Sequence, residues 1–335
     1  MEKTSPRVCT IEAPSKINLH LRIKEKRPDG FHALESLFAA LSLADTLRFD
    51  LADEKGDCHL LMNWEPSVPV MPMEIPMKEN LVYRAVSLFR ERTGFKNGVR
   101  IRLDKRIPVG AGLGGGSSDA ASTLMALNIL AREPLSLDEL EIMAASLGSD
   151  VPFFLAGGAA FVSGRGELIE PVKAPQGLWV VLVKPPFASG TASAFRLLDE
   201  ARERETGEQS SSPKKDLSKK DLSKKALSKK DLILALAEDP LTWPYRNDFL
   251  EVFLGSNSPQ RGGEGANAGV YPVILEKLRE EGASFAGLSG SGSCCFGVFK
   301  AKETAERAKM VFGVPEYFTG LTFFLAQKAN AVVEY

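Results

Sequence analysis

Pro108-Val109-Gly110-Ala111-Gly112-Leu113-Gly114-Gly115-Gly116-Ser117-Ser118-Asp119-Ala120-Ala121 places five glycines between positions 110 and 116 and follows them with two hydroxyls. Glycine lets consecutive backbone N–H groups turn toward one centre and approach a bulky anion. A helix that follows adds free N–H groups and its positive dipole end. The stretch reads as a phosphate cradle, in which a β-branched side chain at Gly115 would remove positive φ and block close backbone approach. Upstream, Val99, Ile101 and Leu103 alternate with Arg100, Arg102 and Asp104, the period of a half-buried strand. Downstream, Ala120 to Ala131 is rich in Ala, Leu and Met, a helix former's composition. Strand, glycine loop and helix follow in the order that a phosphate-binding turn needs, the alternative being a flexible surface turn.

Two better-known loops do not fit. Gly110, Gly112 and Gly115 satisfy G-x-G-x-x-G, but a dinucleotide fold needs a second strand with an acid about 20 residues later. Leu137 to Leu147, apolar at helical spacing, follows instead. A Walker loop needs Lys directly before Ser/Thr, and Gly116 stands there. The cation facing the phosphate must come from elsewhere. In Ala13 to Leu21, Lys16, Asn18 and His20 alternate with Ile17, Leu19 and Leu21, which on a strand puts the three polar groups on one face. Alone, that pattern describes a strand with a solvated face. Gly148-Ser149-Asp150-Val151-Pro152 sets an acid at a glycine turn, where an N-cap is the ordinary role. Gly287-Leu288-Ser289-Gly290-Ser291-Gly292-Ser293 alone would be a hairpin turn before the apolar run Cys294 to Phe299.

Together these blocks resemble the small-molecule kinases grouped with galactokinase, homoserine kinase, mevalonate kinase and phosphomevalonate kinase, the GHMP superfamily. Ala13 to Leu21, Arg27-Pro28-Asp29-Gly30-Phe31-His32, Pro108 to Ser118 and Gly148 to Pro152 are similar in detail to its branch acting on cytidyl diphosphate methylerythritol in the non-mevalonate isoprenoid pathway. The resemblance runs from about Ser15 to about Phe299. It implies an α+β, two-lobed fold, with an N-terminal ribosomal-protein-S5-like domain over 1–164 and a C-terminal ferredoxin-like α/β domain over 165–335 carrying a low-complexity insertion at 205–232.

It further implies ATP-dependent phosphorylation of an alcohol, the C2 hydroxyl of the cytidyl substrate, in a cleft between the lobes. Lys16 and Asp150 become the catalytic pair. Pro108, Val109, Gly110, Ala111, Gly112, Leu113, Gly114, Gly115, Gly116, Ser117 and Ser118 become the ATP loop, and Asn18, Phe31, His32, Thr191 and Phe195 the substrate pocket. Phe31 stands where the branch usually has tyrosine, so an aromatic face survives without its hydroxyl. Phe31 and Phe195 are expected to sandwich the cytosine while His32 bonds its polar edge. Mg²⁺ accompanies ATP and keeps several waters, with Ser117 or Ser118 as the protein ligand; further metal residues stay unassigned. Another alcohol kinase of the same superfamily, or a non-catalytic nucleotide-binding module, is the rival reading.

Composition agrees. The 335 residues exceed what one core usually serves. Net charge of −1, from 42 basic and 43 acidic residues, gives no field for nucleic acid or membrane. A small-molecule partner and a monomer or weak homodimer are expected. Cys9, Cys58, Cys294 and Cys295 do not pair with His20, His32 or His59 at zinc-site spacing. Met1 to Arg7 lacks an apolar signal region, so a cytoplasmic enzyme with reduced thiols is expected. Val68 to Met77, rich in proline, reads as a loop, and Gly255 to Gly269 as a Gly/Asn/Ser insertion. Across Ser212 to Leu232, Asp-Leu-Ser-Lys-Lys recurs at a five-residue step that gives Leu217, Leu222, Leu227 and Leu232 no continuous helical stripe. It reads as a solvated excursion without catalytic role.

Overall fold

The computed structural model describes residues 7–68, 76–211, 227–254, 269–327 and 330–334. The first half runs β1 (Val8–Lys26), β2 (His32–Lys55), β3 (Cys58–Trp64), α1 (Leu81–Thr93), β4 (Asn97–Lys105), α2 (Gly115–Leu130), α3 (Leu137–Leu147), α4 (Val151–Ala156), β5 (Ala159–Gly164) and β6 (Leu168–Val172). The second runs β7 (Trp179–Lys184), α5 (Thr191–Ser211), α6 (Lys229–Ala235), α7 (Asp248–Leu254), α8 (Val270–Glu280), β8 (Phe285–Leu288), β9 (Cys295–Phe299), α9 (Lys302–Val311), β10 (Phe318–Phe323) and β11 (Ala331–Glu334).

Two sheets divide the strands. One has the order β11-β1-β2-β4-β3, with β5 and β6 branching from β2; the other is β10-β7-β9-β8. Among the described strands only the β3–β4 pairing is parallel. The long strand β2 serves twice: Leu34 to Ala39 pair with β5, and Thr46 to Leu51 with β4. A boundary at residue 164 would therefore cut the β5–β6 hairpin, and β11 returns from the far end of the chain to β1. The sheets are not partitioned as 1–164 and 165–335, because strand pairing is a tertiary choice that chain order does not impose.

The expected strand at Val99 to Leu103 is the middle of β4. Leu137 to Leu147 is α3, entered through a capping box of Ser136 and Glu139. The helix after the glycine loop starts earlier than Ala120, at Gly115. Its Ala120, Ala121, Leu124 and Leu127 are fully buried, good helix formers without branching at Cβ whose apolar side chains lie where α2 packs against β1 and β2. The hairpin expected around Gly287 to Ser293 joins β8 to β9.

The lysine-rich repeat lies outside the described residues from 212 to 226, as does the Gly/Asn/Ser insertion from 255 to 268. Beyond it the expectation of no core role fails. Ser228 caps α6, and Leu232 is 2% exposed within an apolar cluster that includes Leu236, Trp243 and Tyr245. The five-residue step hides this: of its described leucines, Leu232 reaches the core and Leu227 is exposed.

Candidate active site

The glycine loop is wedged between the two sheets. Lys16 N donates to Leu113 O at 2.9 Å, tying it to β1, and Cys294 N donates to Ala111 O at 3.1 Å, tying it to the residue just before β9. Ser289 Oγ donates to Gly112 O at 2.8 Å. Positive φ occurs at Gly110, Gly112 and Gly114. A Cβ on Gly112 would stand 2.2 Å from Ser289 O, so the third glycine block packs backbone to backbone against the loop. Gly115 has no positive φ. A Cβ there meets Ile107 Cγ2 at 3.0 Å, so its glycine is needed for packing under the helix start. Gly114 is the N-cap of α2 and supplies no side-chain acceptor, which leaves the first N–H groups of the helix open toward the loop.

A cavity of about 1070 Å³ lies on one side of the loop and one of about 810 Å³ on the other. Pro108 to Ser117 line the first, together with Trp64, Leu103 and Lys105. Gly112 and Gly114 line both, so the loop is the wall between them. Ser118 departs from expectation: it does not line the cavity, is fully buried, and its Oγ has no partner.

Lys16 and Asp150 meet in the second cavity. Lys16 Nζ lies 3.3 Å from Asp150 Oδ2, with the lysine side chain 4% and the aspartate 35% exposed. The ammonium also donates to Asn18 Oδ1 at 2.7 Å and lies 4.5 Å from the centre of the Phe38 ring. Asn18 Nδ2 donates to Ser36 Oγ at 2.9 Å, fixing its amide orientation. Asp150 occupies the N-cap of α4 but makes no capping hydrogen bond; its carboxylate is turned to the lysine instead. The polar face of β1 is not solvated either: Lys16, Asn18 and His20 are all under 5% exposed. A register shift between Asn18 and His20 breaks the alternation. His20 leaves the cavity, accepts from Arg246 N through Nδ1 at 3.3 Å and packs against Tyr245. Burial pulls its imidazole down to about 4, with Arg246 adding to the drop.

Sequence reading missed a second buried lysine. Lys105 Nζ bonds Asp45 Oδ2 and, at 2.7 Å, Asp119 Oδ2. Asp45 Oδ1 also accepts from Arg106 N and, at 2.8 Å, Ile107 N, which sets the course of the chain into Pro108. Burial pushes the Asp119 carboxyl up to about 7; Lys105 opposes the rise and Asp45 adds to it. The three come from β2, β4 and α2, and nothing local in Asp104-Lys105-Arg106 marks the lysine as buried. Asn247 was missed too: its Nδ2 donates to Leu288 O and Gly290 O, both at 2.8 Å, and holds the third glycine block.

Asn18, Phe31, His32, Thr191 and Phe195 all line the second cavity. Thr191 Oγ1 lies 3.2 Å from Ser291 Oγ. Phe31 is 56% exposed, with Arg165 5.1 Å from its ring centre. Phe195 does not stand free as the second jaw of a clamp. The His32 imidazole stacks on it, centroids 5.0 Å apart and planes 18° apart, and Phe249 meets it edge-on. Aromatic stacking satisfied inside the protein competes with stacking on a ligand. Among the described residues no three His, Cys, Asp or Glu side chains gather as a metal site. Mg²⁺, which needs few protein oxygens, fits a cavity lined by the Ser117 hydroxyl and by Asp119, whose Oδ1 is buried without a partner.

Residues 80–158 match the GHMP kinases N terminal domain, and residues 269–310 the GHMP kinases C terminal domain. The chain is 36% identical over 304 residues to a 4-diphosphocytidyl-2-C-methyl-D-erythritol kinase of Shouchella clausii, covering 89% of this chain and 88% of that one. It is 36% identical over 306 residues to the enzyme so named in Treponema pallidum, covering 89% and 92%. A crystal structure of 4-(cytidine 5'-diphospho)-2C-methyl-D-erythritol kinase superposes with a TM-score of 0.68 at 31% identity, over 93% of this chain and 98% of that one. A homoserine kinase from Cytophaga hutchinsonii reaches 0.65 at 16% identity, a likeness of fold alone. Identity at this level, sustained over nearly the whole length of both chains, places this α+β protein in the 4-diphosphocytidyl-2-C-methyl-D-erythritol kinase family of the GHMP kinases.

Proposed function

We propose that the chain is an ATP-dependent kinase that phosphorylates the C2 hydroxyl of 4-diphosphocytidyl-2-C-methyl-D-erythritol, a step of isoprenoid precursor synthesis. One observation carries the reading beyond family membership. The Lys16–Asp150 pair lies in the second of two cavities that share the wall formed by Gly112 and Gly114. A donor nucleotide on one side and an acceptor alcohol on the other would meet across that wall.

Phosphoryl transfer asks little covalent work of a protein; positioning and charge neutralisation carry most of the acceleration. The loop N–H groups and the open start of α2 bind the donor phosphates. Asp150 orients the acceptor hydroxyl or takes its proton. Lys16, fixed by Asn18 and Phe38, faces the charge on the moving phosphoryl group. Ser117 would serve as a protein oxygen ligand for Mg²⁺ brought with ATP, which would offset phosphate charge. Phe31 offers an exposed ring to the cytosine, beside the His32–Phe195 stack.

The test is direct. Purified protein is incubated with ATP, Mg²⁺ and each of the cytidyl alcohol, mevalonate, homoserine and galactose. Phosphorylation confined to the cytidyl alcohol supports the proposal. Transfer to another acceptor alone, or none to any, overturns it.

A further inference from the structure

A third buried lysine, Lys184, ends β7, and phosphoryl transfer does not use it. It is 3% exposed and lines neither cavity. Its Nζ donates to Pro185 O at 3.1 Å and to Phe187 O at 3.0 Å, folding the ammonium back over the connection that leads into α5. Among the described residues no carboxylate offsets its charge. Burial pulls the ammonium below its ordinary value, and the ionisable neighbour that acts on it, Cys294, is a thiol that burial pushes up to about 12. A thiol so raised is neutral near pH 7 and supplies no counter-charge. Burying an ammonium against neutral acceptors is costly, yet neither carbonyl depends on it. Pro185 O also accepts from Phe187 N at 2.8 Å, and Phe187 O from Ser293 Oγ at 2.6 Å. What the ammonium adds is a fixed course for the chain from Pro185 to Ala188. That course ends on the glycine loop: a Cβ on Gly110, whose φ is positive, would stand 2.9 Å from Ala188 Cβ, so the alanine methyl fills the space that the glycine leaves. Gly110 lines the first cavity and not the second.

We infer that Lys184 is a positioning residue for the donor side of the glycine loop: its ammonium fixes the Pro185 and Phe187 carbonyls and so sets Ala188 against Gly110, which keeps the loop N–H groups aimed at the nucleotide phosphates. This rests on the donor-nucleotide reading of the first cavity. Backbone N–H groups that cradle an anion act through direction as well as distance, and a displacement of about 1 Å remote from the chemistry is enough to weaken them. The acceptor side is tethered separately, through Thr191 Oγ1 and Ser291 Oγ. Loss of the ammonium is therefore felt on one side of the wall.

Binding of ADP and of cytidine 5'-diphosphate, measured by calorimetry on the full chain, reads the two cavities without turnover. Lys184→Met keeps an unbranched side chain and leaves both carbonyls their other donors, so it should fold. Ala188→Gly removes the methyl and leaves the ammonium in place. Each is expected to weaken ADP binding about tenfold and cytidine 5'-diphosphate binding by less than about twofold. The double variant should bind ADP no more weakly than Lys184→Met alone, since both changes act through one contact. With substrates, KM for ATP rises while KM for the cytidyl alcohol is held. A merely structural lysine would lower the melting temperature and leave the two affinities in their original ratio; that result, or additive losses in the double variant, would overturn the inference. Should Lys184→Met not fold, Ala188→Gly decides alone, and unchanged ADP affinity in it overturns the inference. Phosphorylation of the cytidyl alcohol together with unaltered ADP binding in Lys184→Met would remove the inference and keep the proposed reaction. Lys184-dependent ADP binding in a protein that phosphorylates none of the acceptors would keep the inference and remove that reaction.

Discussion

Two lysines are buried beside the glycine loop, one in each cavity wall, and their surroundings differ in one respect. Lys105 is shared by two carboxylates, Asp45 and Asp119, whose side chains are 0% and 4% exposed. Lys16 has one carboxylate at 3.3 Å, on a side chain 35% exposed, plus a neutral amide and an aromatic face. The first ammonium is matched by two buried carboxylates: burial pulls it down, but Asp119 and Asp45 hold it above its ordinary value. The second has a single, partly exposed carboxylate. A saturated ion cluster serves architecture, whereas an incompletely matched ammonium next to open space can meet a ligand's charge.

The largest effect should come from breaking the Asp45–Lys105–Asp119 cluster. Asp45→Ala leaves Lys105 with one partner and frees the Arg106 and Ile107 amides, and should cost about 3–5 kcal/mol of stability. Urea unfolding measures this; a loss under about 1 kcal/mol would show that the cluster is not structural. Conversely, Lys16→Ala and Asp150→Asn should each lower turnover about 10²-fold or more while the melting temperature stays close to that of the unaltered protein. If either folded variant kept near-normal turnover, the contrast between the two lysines would collapse.

Between the lysines, the wall can be tested by itself. Gly112→Ala combines positive φ with a Cβ 2.2 Å from Ser289 O and should cost about 1–3 kcal/mol. At Gly116 a Cβ meets only Leu81 Cδ1, at 3.9 Å, so Gly116→Ala should be close to neutral. Equal melting temperatures for the two variants would contradict the packing of the third glycine block on the loop.

His20 supplies a smaller, pH-dependent effect. Its folded-state pKa of about 4 lies below the ordinary 6.5, so the unfolded chain binds the proton first. Its contribution is present above about pH 6.5 and is lost as the pH falls toward 4. His20→Asn should flatten the stability profile across that window, by up to about 3 kcal/mol; an unchanged slope would assign the acid sensitivity to other groups. The smallest effect is expected from replacing residues 212–226 with a short Gly/Ser linker, which should change activity by no more than a few-fold, since the length of a connection costs little on closure. Extending the replacement through Leu232 should destabilise the protein, because that leucine is in the core.

Much of the site is legible in the chain. Pro108 to Ser117, Lys16, Asp150, Phe31, His32, Thr191 and Phe195 all reach one or other cavity; glycine density, period-two alternation and an acid at a helix start are local patterns that mark the loop, Lys16 and Asp150, whereas Phe31, His32, Thr191 and Phe195 followed from the family resemblance. The local roles read from them were less secure. Asp150 occupies a cap position without capping. A bulge after Asn18 turns His20 out of line with Lys16, and the ring meant to clamp a base is stacked on His32.

The sequence by itself determined a mix of helices and strands and the strand–glycine loop–helix unit, since these depend on backbone freedom and on which residues repeat at short range, while the α+β fold class followed from the family resemblance. Only the tertiary structure decided which lysine is saturated, which sheet the last strand joins, and which partner His32 takes. Asp45 and Lys105 are 60 residues apart, and His32 and Asp199 are 167 apart. Pairings at such separations come from how sheets and helices stack. No pattern within a strand or helix records them.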